Sequence, residues 1–321
     1  MLTNEQIQEL IRKAAISTAT GGQLNTEQSK ELIDLVVSQN EFLQKIQTVQ
    51  MTSSEYQLNT LELNARMLRA GVEGVSPDEV FGVNITPRTL RYKETVLPFD
   101  ITFSFLEENI EGSNAEGKIQ RGFAKAFGND LLDLAINGDE SLPATINDVD
   151  EDGFDDTTGL SLNDHKFLRQ NDGWIKTALN DSAVHQFTIP NTTDYKAVFK
   201  SMFKLMPNKW KRNLNSLIFL VSPNVEFEYR SQLGERATSL GDSMIIESRS
   251  VQFNGVDVYP LPYMPDSTVM FTHIKNLAIG IGRQLRIGRQ VQERKRVIEY
   301  TVTSKTDSDY AVSDQIVIGQ E

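Results

Sequence analysis

The chain has 321 residues, 39% of them apolar and 24% charged, with 44 acids against 32 Lys and Arg for a formal net charge of -12. Those proportions are those of a globular protein, and no run approaches the roughly 20 apolar residues of a membrane-spanning helix. The absence of cysteine excludes disulfides, thiolate metal sites and cysteine nucleophiles.

The charge is local. Nine acids and no Lys or Arg lie between Asp139 and Asp164, and the rest of the chain holds 35 acids against 32 bases. No basic start followed by an apolar stretch opens the sequence, so no secretory signal is read and folding in the cytoplasm is expected.

Residues 1–50 read as two helices. Thr3 and Gln6 form a capping pair ahead of Ile7, Leu10, Ile11 and Ala14, and Thr26 precedes Leu32, Leu35, Val36, Leu43 and Ile46, with the loop TATGGQL between the helices. Two short helices cannot cover both apolar stripes, so this segment reads as an arm packed on a larger body or on a neighbouring copy.

From Met51 to about Phe105 the pattern shortens to strand-like alternation in YQLNTLELN and TLRYKETVLPFDITFSF. Between them RMLRAGVEGVSPDEVFGVNITPR is too polar and too interrupted by glycine and proline for a core, which predicts a long hairpin with an extended tip. Its strand edges would need a partner chain or the rest of the fold to cover them.

A long one-sided helix is predicted from Ser113, with Glu116 as capping partner, through Ile119, Phe123, Phe127, Leu131 and Leu134 to Asn137 and Gly138. A second amphipathic helix runs from Asp194 to Met206, and its apolar set, Tyr195, Val198, Phe199, Met202, Phe203 and Met206, faces a core. SLIFLVS at 216–222 is apolar on both faces and predicts a buried strand, followed by a helix in PNVEFEYRSQLGER. GVDVYPLPYMP reads as loop and STVMFTHI as strand. From Leu277 to Val302 the alternation of Ile279, Ile281, Leu285, Ile287 and Val291 against Arg286, Gln290 and Arg294 predicts two long antiparallel strands turning around GRQVQER.

Chemistry-bearing motifs are few. Asp148, Asp150, Asp152 and Asp155 alternate around Gly153, an order that can converge oxygens on a calcium ion and that resembles calcium loops of the thrombospondin type. Gly159 stands where an EF-hand would need its bidentate Glu, and a solvated acidic surface loop is the other reading. GIGRQLRIG lacks the glycine spacing and the following helix of a phosphate loop. His165, His185 and His273 are isolated from one another and read as structural. No nucleophile elbow, HExxH or dinucleotide fingerprint is present, so the chain does not read as an enzyme.

The order of the phrases LEENIEGSN, LAINGD, FLRQNDGWI, LMPNKWKRN, SLIFLVSPNVEFEYRSQL and FNGVDVYPLPYMPDSTVMFTHIKNLAIGIGR resembles the major capsid proteins of tailed phages with the Hong Kong 97 fold, in particular those similar to gpN-like shell proteins. The resemblance covers the chain from about Met51 onward. It implies an α+β fold in four parts: an N-terminal helical arm at 1–50, and an extended hairpin loop with its base strands at 51–103. A peripheral domain would take 104–215 and 282–310 around a spine helix at about 113–137, and an axial domain 216–281 and 311–321.

It further implies hexamers and pentamers of this chain in an icosahedral virion shell around double-stranded DNA, assembled in the bacterial host cytoplasm. A portal would be a partner, with DNA contacted nonspecifically and no membrane involved. Some members carry a long cleaved scaffolding segment, and with about 50 residues ahead of the hairpin here a separate scaffolding protein is expected, while a decoration protein stays open. In this family the hairpin lies over a neighbouring subunit and the long strands meet at local threefold contacts. The candidate interface residues are therefore Arg66, Arg69, Glu73, Asp78 and Glu79 on the hairpin and Arg286, Arg289, Arg294 and Arg296 on the strands. One member locks its shell through a hairpin lysine and a neighbour's asparagine. Here no lysine lies between Asn59 and Tyr92, so a noncovalent shell without that crosslink is expected.

Two other readings stay open on sequence: an encapsulin-like compartment of the same fold, and a calcium-dependent binding protein built on the Asp148 loop. Calorimetric titration of the free subunit with calcium tests the last, for which saturable binding is expected.

Overall fold

The computed structural model describes residues 22–23, 36–37, 40–62, 84–104, 115–143, 160–190, 194–234, 251–282 and 286–321. Along them lie β1 (Gly22–Gln23), α1 (Glu41–Lys45), β2 (Gln47–Met51), β3 (Glu55–Glu62), β4 (Asn84–Arg91) and β5 (Lys93–Thr102). Next come α2 (Ala115–Asn137), α3 (Leu162–Leu168), α4 (Trp174–Asn180), β6 (His185–Thr188), α5 (Tyr195–Leu205), β7 (Leu217–Val221) and α6 (Pro223–Gly234). The chain closes with β8 (Gln252–Phe253), β9 (Val256–Pro260), β10 (Thr268–His273), β11 (Leu277–Gly282), β12 (Arg286–Gln292), β13 (Val297–Tyr310) and β14 (Ile316–Gln320). Helices and mixed sheets together make the expected α+β fold.

All five residues of β7 are buried because each face of its sheet is covered. That sheet has the order β6-β14-β10-β7-β9-β8. Leu217, Phe219 and Val221, with Val269, Phe271 and Val317 from neighbouring strands, meet Val198, Phe199 and Met202 of α5 and Val225 and Tyr229 of α6. The alternate residues Ile218, Leu220, Met270, Ile316 and Ile318 turn to the opposite face, into a second core with Leu131, Leu132, Ala135 and Ile136 of α2 and Trp174 and Ala178 of α4. A two-faced apolar run is what a strand buried on both sides requires.

The segment read as loop in GVDVYPLPYMP instead contains β9, which pairs with β8 across Asn254 and Gly255. Both turn residues have positive φ, 48° and 82°. Asn-Gly supplies that conformation at little cost, and the resulting tight turn matches strand twist.

The other large sheet is built on β13. Its register with β5 runs from Val297↔Thr102 to Thr306↔Lys93. Along its other edge lie β12, from Gln292↔Val297 to Arg286↔Thr303, and β11, from Ile281↔Thr306 to Leu277↔Tyr310. β11 and β12 therefore lie one after the other along the same edge of β13, and from Ile281 to Arg286 the chain advances five residues while their partners on β13 advance three. The two predicted long strands are present. The turn falls at 293–296, past most of GRQVQER, because β12 keeps its pairing to Gln292.

Beyond this hairpin, β2 adds in parallel to β11, and β1, within the predicted loop TATGGQL, pairs with β12. Residues counted with the arm on sequence, Val36, Phe42, Leu43 and Ile46, lie in the α2 core, and the Phe42 ring sits 5.4 Å from Tyr259. Asn40 caps α1, its Oδ1 accepting from the Phe42 N–H at 3.0 Å.

Two connections between the sheets, 274–276 and 311–315, run side by side and are tied by the buried Asn276. Its Nδ2 donates to the Val312 carbonyl at 2.9 Å and its Oδ1 accepts from the Val312 N–H at 2.8 Å, while the Asn276 carbonyl accepts from the Ala311 N–H at 2.9 Å. Asn276→Ala would strand both buried main-chain groups of Val312, and the expected loss is about 2–4 kcal/mol of stability. A fall in the urea midpoint with unchanged slope checks this.

Candidate functional site

β3 and β4 pair only with each other among the described residues, from Glu55↔Arg91 to Glu62↔Asn84, and form the base of the predicted hairpin. The run TLRYKETVLPFDITFSF, one strand by its alternation, splits at Tyr92 into β4 in the hairpin and β5 in the large sheet. Leu58 and Leu90 bury themselves with Met51 against Ala278 of β11. Gly280 permits the close approach, because a Cβ there would lie 2.4 Å from the Met51 sulfur and 3.2 Å from Leu90 Cδ1.

Polar contacts fix the hairpin's direction. Arg88 of β4 reaches across to the end of β13. Its Nη1 donates to Asp309 at 3.0 Å, and its Nη2 donates to Ser313 Oγ at 2.9 Å, to the Tyr310 hydroxyl at 3.2 Å and to the Asp181 carboxylate. The guanidinium carbon also lies 4.1 Å from the centre of the Tyr310 ring. Tyr310 and Ser313 in turn donate to Asp181 Oδ2, at 3.0 and 2.7 Å. Three residues along β4, the Arg91 N–H donates to Asp307 Oδ2 at 2.6 Å.

Burial and charge oppose each other here. Burial pushes the Asp309 carboxyl above its usual range in spite of Arg88. At Asp181 burial also disfavours the ion, but hydrogen bonds from the Ala183 N–H, Ser313 and Tyr310 and the charge of Arg88 outweigh it, and the pKa lies below the usual value. Burial raises the Tyr310 phenol. Asp307, buried and beside Asp309, is pushed up to about 6 although two backbone N–H groups favour its ionised form.

The far end of the large sheet is a basic ribbon. Arg286 pairs through its backbone with Thr303, Arg289 Nε donates to the Tyr300 hydroxyl at 3.4 Å, and Arg294 is exposed at the turn. Arg296 closes the turn at φ 53°, and its carbonyl accepts from the Phe103 N–H at 2.9 Å. Lys295 pairs with Glu299 at 3.1 Å, and Val291 stays 42% exposed on β12. The four arginines singled out from the sequence on these strands therefore lie together on one ribbon.

The hairpin candidates Arg66, Arg69, Glu73, Asp78 and Glu79 lie outside the described residues, as do Asp148, Asp150, Asp152 and Asp155 of the acidic loop. Among the described residues no three His, Asp or Glu side chains gather as a metal-binding group. His185 Nε2 lies 3.0 Å from Asp314, His273 Nε2 lies 3.1 Å from the Trp210 carbonyl oxygen, and His165 is buried. Sequence reasoning missed Arg88. Its partners lie 93 to 225 positions away, so no local pattern marks it.

Residues 5–319 match the family described as phage major capsid protein, P2 family. A protein of Bacillus subtilis (strain 168), YqbE, assigned as a prophage capsid protein, is 27% identical over 96% of both chains. Among solved structures, a chain of the satellite phage P4 procapsid that includes the size determination protein aligns with a TM-score of 0.68 at 12% identity, over 91% of this chain and 90% of that one. The capsid of a native GTA particle aligns at 0.55 and 11% identity, over 89% of each chain.

Replacing Arg88 by Met leaves Asp309 and Asp181 without their cation, and a loss of about 2–4 kcal/mol is expected in urea unfolding at pH 7. Asp307 has a folded pKa raised above its unfolded value. Its contribution is therefore full below about pH 4 and is lost as pH rises through about 6. Asp307→Asn should match wild type near pH 4 and exceed it by about 2 kcal/mol above pH 7, as measured by urea unfolding across that range.

Proposed function

The chain belongs to the P2 family of phage major capsid proteins, and from that premise we propose that its copies close as hexamers and pentamers into an icosahedral head around double-stranded DNA. It is a structural protein of the phage shell and a component of the virion, not an enzyme. The large sheet with α2 serves as the peripheral domain and α2 as its spine. The second sheet serves as the axial domain. β6 and α5, counted on sequence with the peripheral domain at 104–215, pair with and pack on this sheet, and β11, counted with the axial domain at 216–281, lies in the large sheet.

One observation carries this reading. The hairpin base is bound to the body through Arg88 and Arg91, yet its two strands pair only with each other among the described residues. A two-stranded ribbon is marginal alone and presents unpaired edges, so a neighbouring copy is its natural cover. Without cysteine, and with no lysine between Asn59 and Tyr92, the shell is held by noncovalent contacts. A separate scaffolding protein guides closure, a portal occupies one vertex, and DNA is held by confinement.

Electron microscopy of the protein produced with its scaffolding partner should show closed icosahedral particles. Replacing residues 63–83 by a short Gly-Ser link keeps β3, β4 and Arg88, and should leave a folded subunit that forms no shells. Normal shells from that variant would refute the role given to the hairpin.

A further inference from the structure

A groove opens between the spine helix and β5. Leu97 on one side and Phe127, Leu131 and Leu134 on the other make its walls, Phe167 adds to the lining, and Asp130 stands at the rim. Asp133, one turn along α2, and Asp164 of α3 add negative charge beside it. Burial, together with a neighbouring carboxylate, raises the pKa of both Asp130 and Asp133.

The β12–β13 ribbon has the opposite character. Arg289, Arg294, Lys295 and Arg296 outnumber Glu293 and Glu299 there, and Val291 is exposed beside them. Val291 pairs with Ile298, placing it on the sheet face that carries the buried Ile298 and Tyr300, so the apolar stripe of the core continues outward past its own cover. The groove is therefore apolar with an acidic rim, and the ribbon tip apolar with a basic rim.

We propose that the groove between α2 and β5 is the docking site for the β12–β13 tip of a second copy of this chain, with Val291 entering the groove and the tip's basic residues facing Asp130. The inference rests on the shell reading, which requires surfaces of this one chain to complement each other. The contact is heterologous, joining two different patches, and repeats from copy to copy until a ring closes. Apolar contact at the centre with opposite charges around it gives such a joint both attraction and register.

The lack of native cysteine makes a direct test available. In the double variant Asp130→Cys/Val291→Cys the two thiols of one chain cannot bridge. Leu97, which lines the same groove as Asp130, pairs with Val302 on one edge of β13, and Val291 pairs with Ile298 on the other, so groove and tip lie about 13 Å apart along β13 and on opposite sides of it, beyond disulfide reach. Mild oxidation of assembled particles should convert most subunits to a disulfide-linked ladder on a nonreducing gel. Free subunits and either single variant should stay monomeric.

Shells that form normally, with both thiols reactive to a maleimide in the free subunit but no ladder on oxidation, would overturn the contact and leave the shell reading standing. Linkage by Val291→Cys alone would show tips meeting tips and would also overturn it. Failure of the unmodified chain to form shells under any condition would overturn the shell reading and the contact with it. As a second measurement, Asp130→Lys should abolish assembly and Asp130→Lys/Arg294→Glu should restore it; assembly unaffected by Asp130→Lys, or not rescued by the second change, would count against the pairing.

Discussion

β13 is paired along both of its edges for most of its fourteen residues. A strand so held cannot shift register without breaking two ladders at once, and every other part of the fold takes its position from it. On one face Tyr300 stacks on Phe99 at 4.8 Å, and the core beneath holds α2. The Thr306 carbonyl accepts from Asn171 and the Asp309 carbonyl from the Trp174 indole, which fixes the entry to α4. Past Tyr310 the chain turns at the Asn276 tie and enters β14, so the second sheet is referenced to the same strand.

The opposite face of β13 explains how the hairpin is oriented. Alternation in VTSKTDSDY resembles a strand with one face in water. In the structure Asp307 and Asp309 lie under the hairpin base, where Arg91 and Arg88 reach them. Burying carboxylates is costly unless they are hydrogen-bonded, and the raised pKa of both reports that cost. Hydrogen bonds and ion pairs are directional where apolar contact is not. This arrangement sets the angle at which the ribbon leaves the body.

Legibility followed sequence distance. The spine helix, the amphipathic helix from Asp194, the buried strand at 217–221 and the helix after it each carry their own periodicity and breakers, and each is present close to its expected place. β8 and β9 were missed although Asn254-Gly255 is a strong hairpin signal, because the prolines after it drew the reading toward loop. The break at Tyr92 had no signal: alternation continues through it unchanged, and only the competition between two sheets divides the run.

The sequence by itself determined the class of the molecule. Local periodicity specifies the helices and strands, and the order of recognisable phrases was enough to place the chain among capsid proteins. The tertiary structure decided which of the polar residues matter. Arg88, Asp181, Asp309 and Ser313 are unremarkable in their own neighbourhoods, and they become one site only when β4 crosses the end of β13. Pairing across one or two hundred residues is settled by how whole elements pack, and no local pattern along the chain encodes it.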